Sequence, residues 1–446
     1  MRRLSAKTFG LAAMTTASAA VAACGLSSAA PTNGLLAGPT GQPITVGISL
    51  PLGGSTASDP FSADGQACRI GYQLWASDVN SHGGLLGRPV RLKILDDKGS
   101  EPLTRANYQT LIKTDHVDLV LAPFSSLLTI DAAKVTSKYG YALAAGSAGA
   151  PAVYALGLRS LFSTNVPASQ QMVPLANYVA SLPIGQRPAT AAYPMIDDPF
   201  ADPPVQTARH LLSRAGVRPV YTHALLSPTS SAAQLAQDAK AVAQFGAQMV
   251  VLGSVDVPTV QAFVKEFIAK NYNPKMFIAA AGPDQGQAFL NAVGTGNADG
   301  IMVPNGWFGA YPNALSHLMV QDYIAKYGGT ASDINADVAE SYSAGEVIAA
   351  AVAGTHSLNQ QSIITWLHKN SVQTVLGAVK FGKDGQNLKT AQSALIFQWQ
   401  PGGHFVQVLP KATLGAALLK SRKSSTLKPL LPLGLNGPAR SRCAGT

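Results

Sequence analysis

Cysteine is scarce: three residues in 446, at Cys24, Cys68 and Cys443. Three thiols in unrelated settings exclude a disulfide framework. Cys68, in the middle of an expected helix, is expected to be a small buried hydrophobe. Charge is also sparse, at 13% of residues. The net charge of +10 invites an acidic partner, but its placement argues otherwise. Arg2, Arg3 and Lys7 lie in the first 23 residues, and Lys411, Lys420, Arg422, Lys423, Lys428, Arg440 and Arg442 in the last 36. Neither end holds an acid. Removing those ten leaves 23 basic residues against 23 acids, so residues 24–410 are formally neutral. Without a basic stripe on the folded body, nucleic acid is excluded as a partner. The eight histidines are scattered, with no i, i+4 pair and no cysteine neighbours, so no metal is expected.

What is present begins with a leader. Positive residues at 2, 3 and 7 precede a modestly apolar stretch, Phe9 to Ala23, too short and too weakly apolar to span a bilayer. This is the layout of a secretory signal over residues 1–23. Val21-Ala22-Ala23-Cys24 resembles a bacterial lipobox, in which the cysteine carries the lipid; ordinary secretion with an unmodified Cys24 is the alternative. Residues 24–42 hold Ser, Ala, Pro, Thr and Gly without charge and read as a flexible tether. An exported protein has no ready ATP or NAD, which disfavours many enzymes and leaves no cofactor expected.

The body, Pro43 to Pro410, alternates strand and helix. Ile44 to Leu50 is a strand, Gly65 to Asn80 a helix, Val90 to Leu95 a strand, Leu103 to Lys113 a helix and Val117 to Leu121 a strand. Two such blocks, on either side of about residue 165, predict an α/β fold with parallel sheets covered on both faces. Ligands in such sheets sit at the carboxyl ends of strands, and there the sequence places Ser125 and Ser126. Ser126 opens a helix whose free N–H groups and positive dipole end suit a carboxylate. The plain alternative is that it is an N-cap, and the two roles are compatible. Asp96-Asp97 reads as a strand-end cap, and Asp197-Asp198 as a lining of the cleft mouth. Ala145-Gly146-Ser147-Ala148-Gly149 approaches a nucleophile elbow, but no helix is expected directly after the serine, so no enzyme is expected.

Seven fragments in order then carry a resemblance: ITVGISLPLGG, DVNSHGGLLGRPVRLKILDD, DLVLAPFSSLLTIDAAKV, LFSTNVPASQQ, NPKMFIAAAGPDQG, SVQTVLGAVKFGKDGQ and FQWQPGGHFVQVLP. Together they resemble the leucine/isoleucine/valine-binding family of ABC-transporter substrate-binding lipoproteins. The resemblance implies a type I periplasmic-binding-protein fold, two Rossmann-like lobes joined by three hinge crossovers. It implies an N-lobe of residues 43–165 plus 299–376 and a C-lobe of 166–298 plus 377–410. It further implies a monomer at the outer face of the cytoplasmic membrane or in the periplasm, with an ABC permease as partner and an amino acid, branched-chain or hydrophobic by preference, as ligand. The same fold also serves signalling partners as a ligand sensor.

Carried over one at a time, Ser126 matches the serine that holds the ligand carboxylate, Asp284 the acid that pairs with its ammonium, and Ser147 with Ala148 a backbone contact. Ser125 adjoins this set. A family threonine falls on Gly149, and pocket aromatics fall on Asp64, Phe200 and Val255, of which only Phe200 keeps a ring. Trp307 offers apolar cover instead, or is core. Asp284 is alternatively a helix N-cap. Residues 411–446, basic, acid-free and interrupted by prolines, are expected to be a disordered tail attracted to an anionic surface.

Overall fold

The computed structural model describes residues 39–53, 61–222, 225–227, 230–388 and 394–410. The leader, Cys24 and the basic tail, with the expectations attached to them, lie outside the described residues.

Five strands form the first sheet: β1 (Ile44–Leu50), β2 (Val90–Asp96), β3 (Leu119–Leu121), β4 (Leu143–Ala145) and β5 (Leu161–Ser163). Their spatial order is β2-β1-β3-β4-β5 and every pairing is parallel. The second block supplies β6 (Thr190–Ala192), β7 (Met195–Ile196), β8 (Arg218–Tyr221), β9 (Leu225–Leu226), β10 (Met249–Leu252), β11 (Met276–Ala279) and β12 (Ile301–Asn305). Five of these repeat the arrangement as β8-β6-β10-β11-β12, again all parallel. β13 (Ser371–Thr374) and β14 (Gly377–Lys380) form a separate hairpin. β15 (Leu395–Gln400) and β16 (His404–Leu409) then extend the second sheet antiparallel from β12.

The sequence dictates this arrangement through burial. β10 (MVVL) and β11 (MFIA) are buried at every position, as expected of strands covered by helices on both faces. In β1, Ile44, Val46, Ile48 and Leu50 are fully buried and enter a core completed by Trp75, Val338, Val347 and Val379 from distant helices and the hairpin. Cys68 lies in the same core, free and buried, as expected. Asp97 accepts from the Ser49 hydroxyl at 2.7 Å and the Gly99 N–H at 3.0 Å, and Asp96 accepts from Leu52 and Lys98 N–H groups; both cap strand ends.

The chain crosses between sheets three times, after β5, after β12 and after β14. The crossings correct two expected boundaries. β12 pairs with β11 in the second sheet, so the return crossing follows Asn305 rather than residue 298. β13 and β14 are one hairpin, so the last crossing follows Lys380 rather than residue 376. A short helix, Pro151–Tyr154, also stands where none was expected.

In both sheets the strand order reverses beside the first strand, at β1/β3 and at β6/β10. Those are the points where an open parallel sheet leaves a crevice at its carboxyl edge.

Candidate ligand-binding site

The carboxyl ends of both sheets open onto one cavity of about 50 Å³. The first sheet contributes Phe124, Ser125 and Ser126 after β3, Ser147 after β4 and Asn165 after β5. The second contributes Val255 after β10, Ala280, Ala281, Asp284 and Gln285 after β11, and Pro304 and Asn305 at the end of β12. Asp64 from the helix Ser62–Ser81, Asp337 and Glu340 from the helix Ala336–Thr355, Gln171 and Phe200 complete the wall. A wider opening of about 600 Å³ lies among Pro151, Met195, Asp197 and Asp202. Asp197 and Asp198, expected at a cleft mouth, both line this opening. The smaller cavity is the candidate site, because polar groups from both sheets converge there.

Neither serine caps its helix through the side chain. Ser125 is the N-cap residue of the helix Ser126–Lys138, without a side-chain cap bond. Its φ of 116° and ψ of −178° lie in a region that only glycine populates freely. Its hydroxyl is buried with no partner. Ser126 is the first helical residue, fully buried, and its Oγ accepts the Ala150 N–H at 3.1 Å. The first N–H groups of this 13-residue helix lie beside them at its positive end.

The opposite wall is acidic. Ser147 donates to Glu340 at 2.9 Å and to Asp337 at 3.3 Å. Asn165 donates to Glu340 at 3.2 Å. Gln285 donates to Asp64 and, at 3.3 Å, to Asp337, while Asn335 donates to the Gln285 carbonyl. Asp284 accepts from the Gly282 N–H at 2.9 Å and from Asn305 at 3.2 Å. The following helix starts at Gln287 with Gly286 as its N-cap, so Asp284 is not that cap.

Burial governs the ionisation of this group. It lifts Asp284 to about 6, and with the Asp284 charge lifts Asp337 to about 7. Burial, then the charges of Asp337, Asp284 and Asp256, raises Asp64 well above the carboxylate range. Burial and Asp337 do the same to Glu340. Among the described residues, no lysine, arginine or histidine lines the cavity.

Of the residues expected at the site, Ser125, Ser126, Ser147, Phe200 and Asp284 line it. Two do not. Trp307 is 1% exposed and packs in the first core, its indole N–H donating to Ser316 at 2.9 Å. The Ala148 carbonyl is occupied by the hydroxyls of Ser163 and Tyr154. Asp64 and Val255, the positions that depart from the family aromatics, both line the cavity. Asp337 and Glu340 were not foreseen. The available signal was a helix, Ala336–Thr355, with three acids and no basic residue to pair them.

The helix bearing these acids is seated by close packing. A Cβ on Gly71 would lie 2.2 Å from the Val338 carbonyl oxygen, so glycine permits the approach of the helix Ser62–Ser81. A Cβ on Gly146 would lie 2.4 Å from the Glu340 carbonyl oxygen, which lets the end of β4 meet the same helix.

The family described as periplasmic binding protein matches residues 43–404. An amino acid binding protein of Pseudomonas aeruginosa is 23% identical over 372 residues, 82% of this chain and 92% of that one. Among solved structures, a leucine binding protein from Thermotoga maritima superposes with a TM-score of 0.68 at 13% identity, over 82% of this chain and 97% of that one. A solute binding protein of an ABC transporter from R. palustris, in complex with benzoate, gives 0.67 at 17% identity, over 82% and 96%. These two likenesses concern the fold alone. With 43–404 matched and the paired parallel sheets in place, the chain belongs to the periplasmic binding protein family.

Proposed function

We propose that the chain is an extracytoplasmic solute-binding lipoprotein that takes up an amino acid, or a related small carboxylate or amide, between its lobes and delivers it to an ABC permease. Its lobes are residues 43–165 with 306–380, and 166–305 with 395–410. It acts as a monomer, held at the outer face of the membrane by a lipid on Cys24. The observation that carries the reading is the composition of the cavity wall. Serine hydroxyls and a helix N-terminus on the first sheet face an acid, Asp284, on the second, and together they suit the two ends of a zwitterion. Closing two lobes on such a ligand gives affinity and a new outer surface for the permease.

A ligand that binds only the folded protein raises its melting temperature. Thermal shift across amino acids, amides, small carboxylates and sugars tests the reading. A shift with an amino acid, amide or small carboxylate supports it, and no shift with any class sinks it.

A further inference from the structure

We infer that the ligand carries at least two cationic nitrogens, as a basic amino acid or a diamine does, with Asp284 facing one and the Asp64, Asp337 and Glu340 group facing the other. The inference rests on the reading above and narrows its ligand class. Four carboxyl side chains line one small cavity, and among the described residues no basic side chain lines it with them. Asp64, Asp337 and Glu340 are at most 9% exposed and Asp284 is half-buried, and neutral donors from Ser147, Asn165, Gln285, Asn305 and the Gly282 N–H answer them. Ionising these acids together inside the cavity without a cation costs desolvation and mutual repulsion. A zwitterion with an apolar side chain brings one ammonium and one more carboxylate, which leaves that balance unrelieved. A second ammonium or guanidinium relieves it.

An independent observation points the same way. Gln171 lies on the cavity wall, 5% exposed, and its Oε1 is buried with no donor. An unanswered acceptor calls for an N–H from the occupant. The remaining wall, Phe124, Phe200, Val255 and Pro304, is apolar and suits the methylenes between two charged ends. A metal ion does not fit this description: among the described residues, no group of three or more acids, histidines or cysteines is arranged to hold one.

The test is calorimetry and thermal shift on the purified chain at neutral pH. The probes are L-lysine, L-ornithine, L-arginine, putrescine and cadaverine, against L-leucine, benzoate, glucose and calcium chloride. We expect at least one dicationic probe to bind ten-fold or more tightly than L-leucine. Binding of an amino acid but not a diamine assigns the serine end to a carboxylate, and the converse assigns it none; either supports the inference. Asp64→Asn and Glu340→Gln should each weaken the best dicationic probe ten-fold or more without lowering the melting temperature of the unliganded protein. Preference for L-leucine, benzoate or glucose, or a response to calcium alone, overturns the inference; the first two leave the proposed ligand class intact. Silence from every probe overturns both. Should a variant fail to fold, the order of affinities for the parent chain decides alone.

Discussion

Ser147 donates its hydroxyl proton to Glu340 at 2.9 Å across 193 positions of sequence, tying the end of β4 to the acid-bearing helix. The neighbouring Gly146 makes that approach possible. A methyl group there meets the Glu340 carbonyl and must push the helix away. We expect Gly146→Ala to cost about 1–3 kcal/mol, as overpacking does, and to weaken ligand binding as Glu340 and Asp337 shift. Urea denaturation and calorimetry check this; an unchanged midpoint would mean that strand and helix have room to part.

Ser125 stores backbone strain at the site. Residues held in this glycine-only region cost on the order of 1–3 kcal/mol, while a glycine gives back about 0.5–1 kcal/mol in entropy of the unfolded chain. Ser125→Gly should therefore be more stable than Ser125→Ala by up to about 2 kcal/mol, since alanine keeps the strain. Both remove the unpartnered hydroxyl, so both should lose affinity for a carboxylate ligand. Equal stability of the two variants counts against a strained Ser125.

The stability of the unliganded protein should fall as pH rises. Asp284 and Asp337 titrate near 6 and 7 in the folded state, and Asp64 and Glu340 are also raised. Asp256 and Asp198, buried near the same cleft, are raised in the same direction, Asp198 to about 6. Between the ordinary carboxylate range near 4 and about 7, the folded state therefore holds more protons than the unfolded state, which makes stability decline with pH. Melting temperature measured from pH 5 to pH 8 should decrease. A cationic ligand should reverse the trend, because it favours the ionised acids. A melting temperature that rises over this range without ligand contradicts the burial of these groups.

The two ends of the ligand are separable by substitution. Ser126→Ala removes the acceptor of the buried Ala150 N–H, which costs about 1–3 kcal/mol of stability and weakens a carboxylate ligand. Asp284→Asn removes the charge that faces an ammonium and should weaken an amine-bearing ligand ten-fold or more. A ligand with both groups should suffer from both changes, and a carboxylate without an amine from Ser126→Ala alone. Calorimetry on the two variants distinguishes these outcomes. Indifference to both would place the ligand elsewhere.

Sequence alone determined the alternation of strand and helix, the two blocks, and the serine pair at the end of β3, because local periodicity and turn chemistry are enough to fix them. Ser147, Phe200 and Asp284, expected from the sequence, line the same cavity. Sequence failed where a residue's partner is distant in the chain. For Trp307 pocket cover and core both stood open, and it is core, with its indole N–H donated to Ser316. Asp337 and Glu340 carried no expectation from the sequence, since acids three apart on a helix are usually a solvated face. Ten consecutive residues from Ala336 to Gly345 are buried between the helix Ser62–Ser81 and the strand ends, and only tertiary packing turns those acids inward. The fold was local information. The charge of the site was not, because it depends on which carboxyls from three separate segments are brought into one cavity.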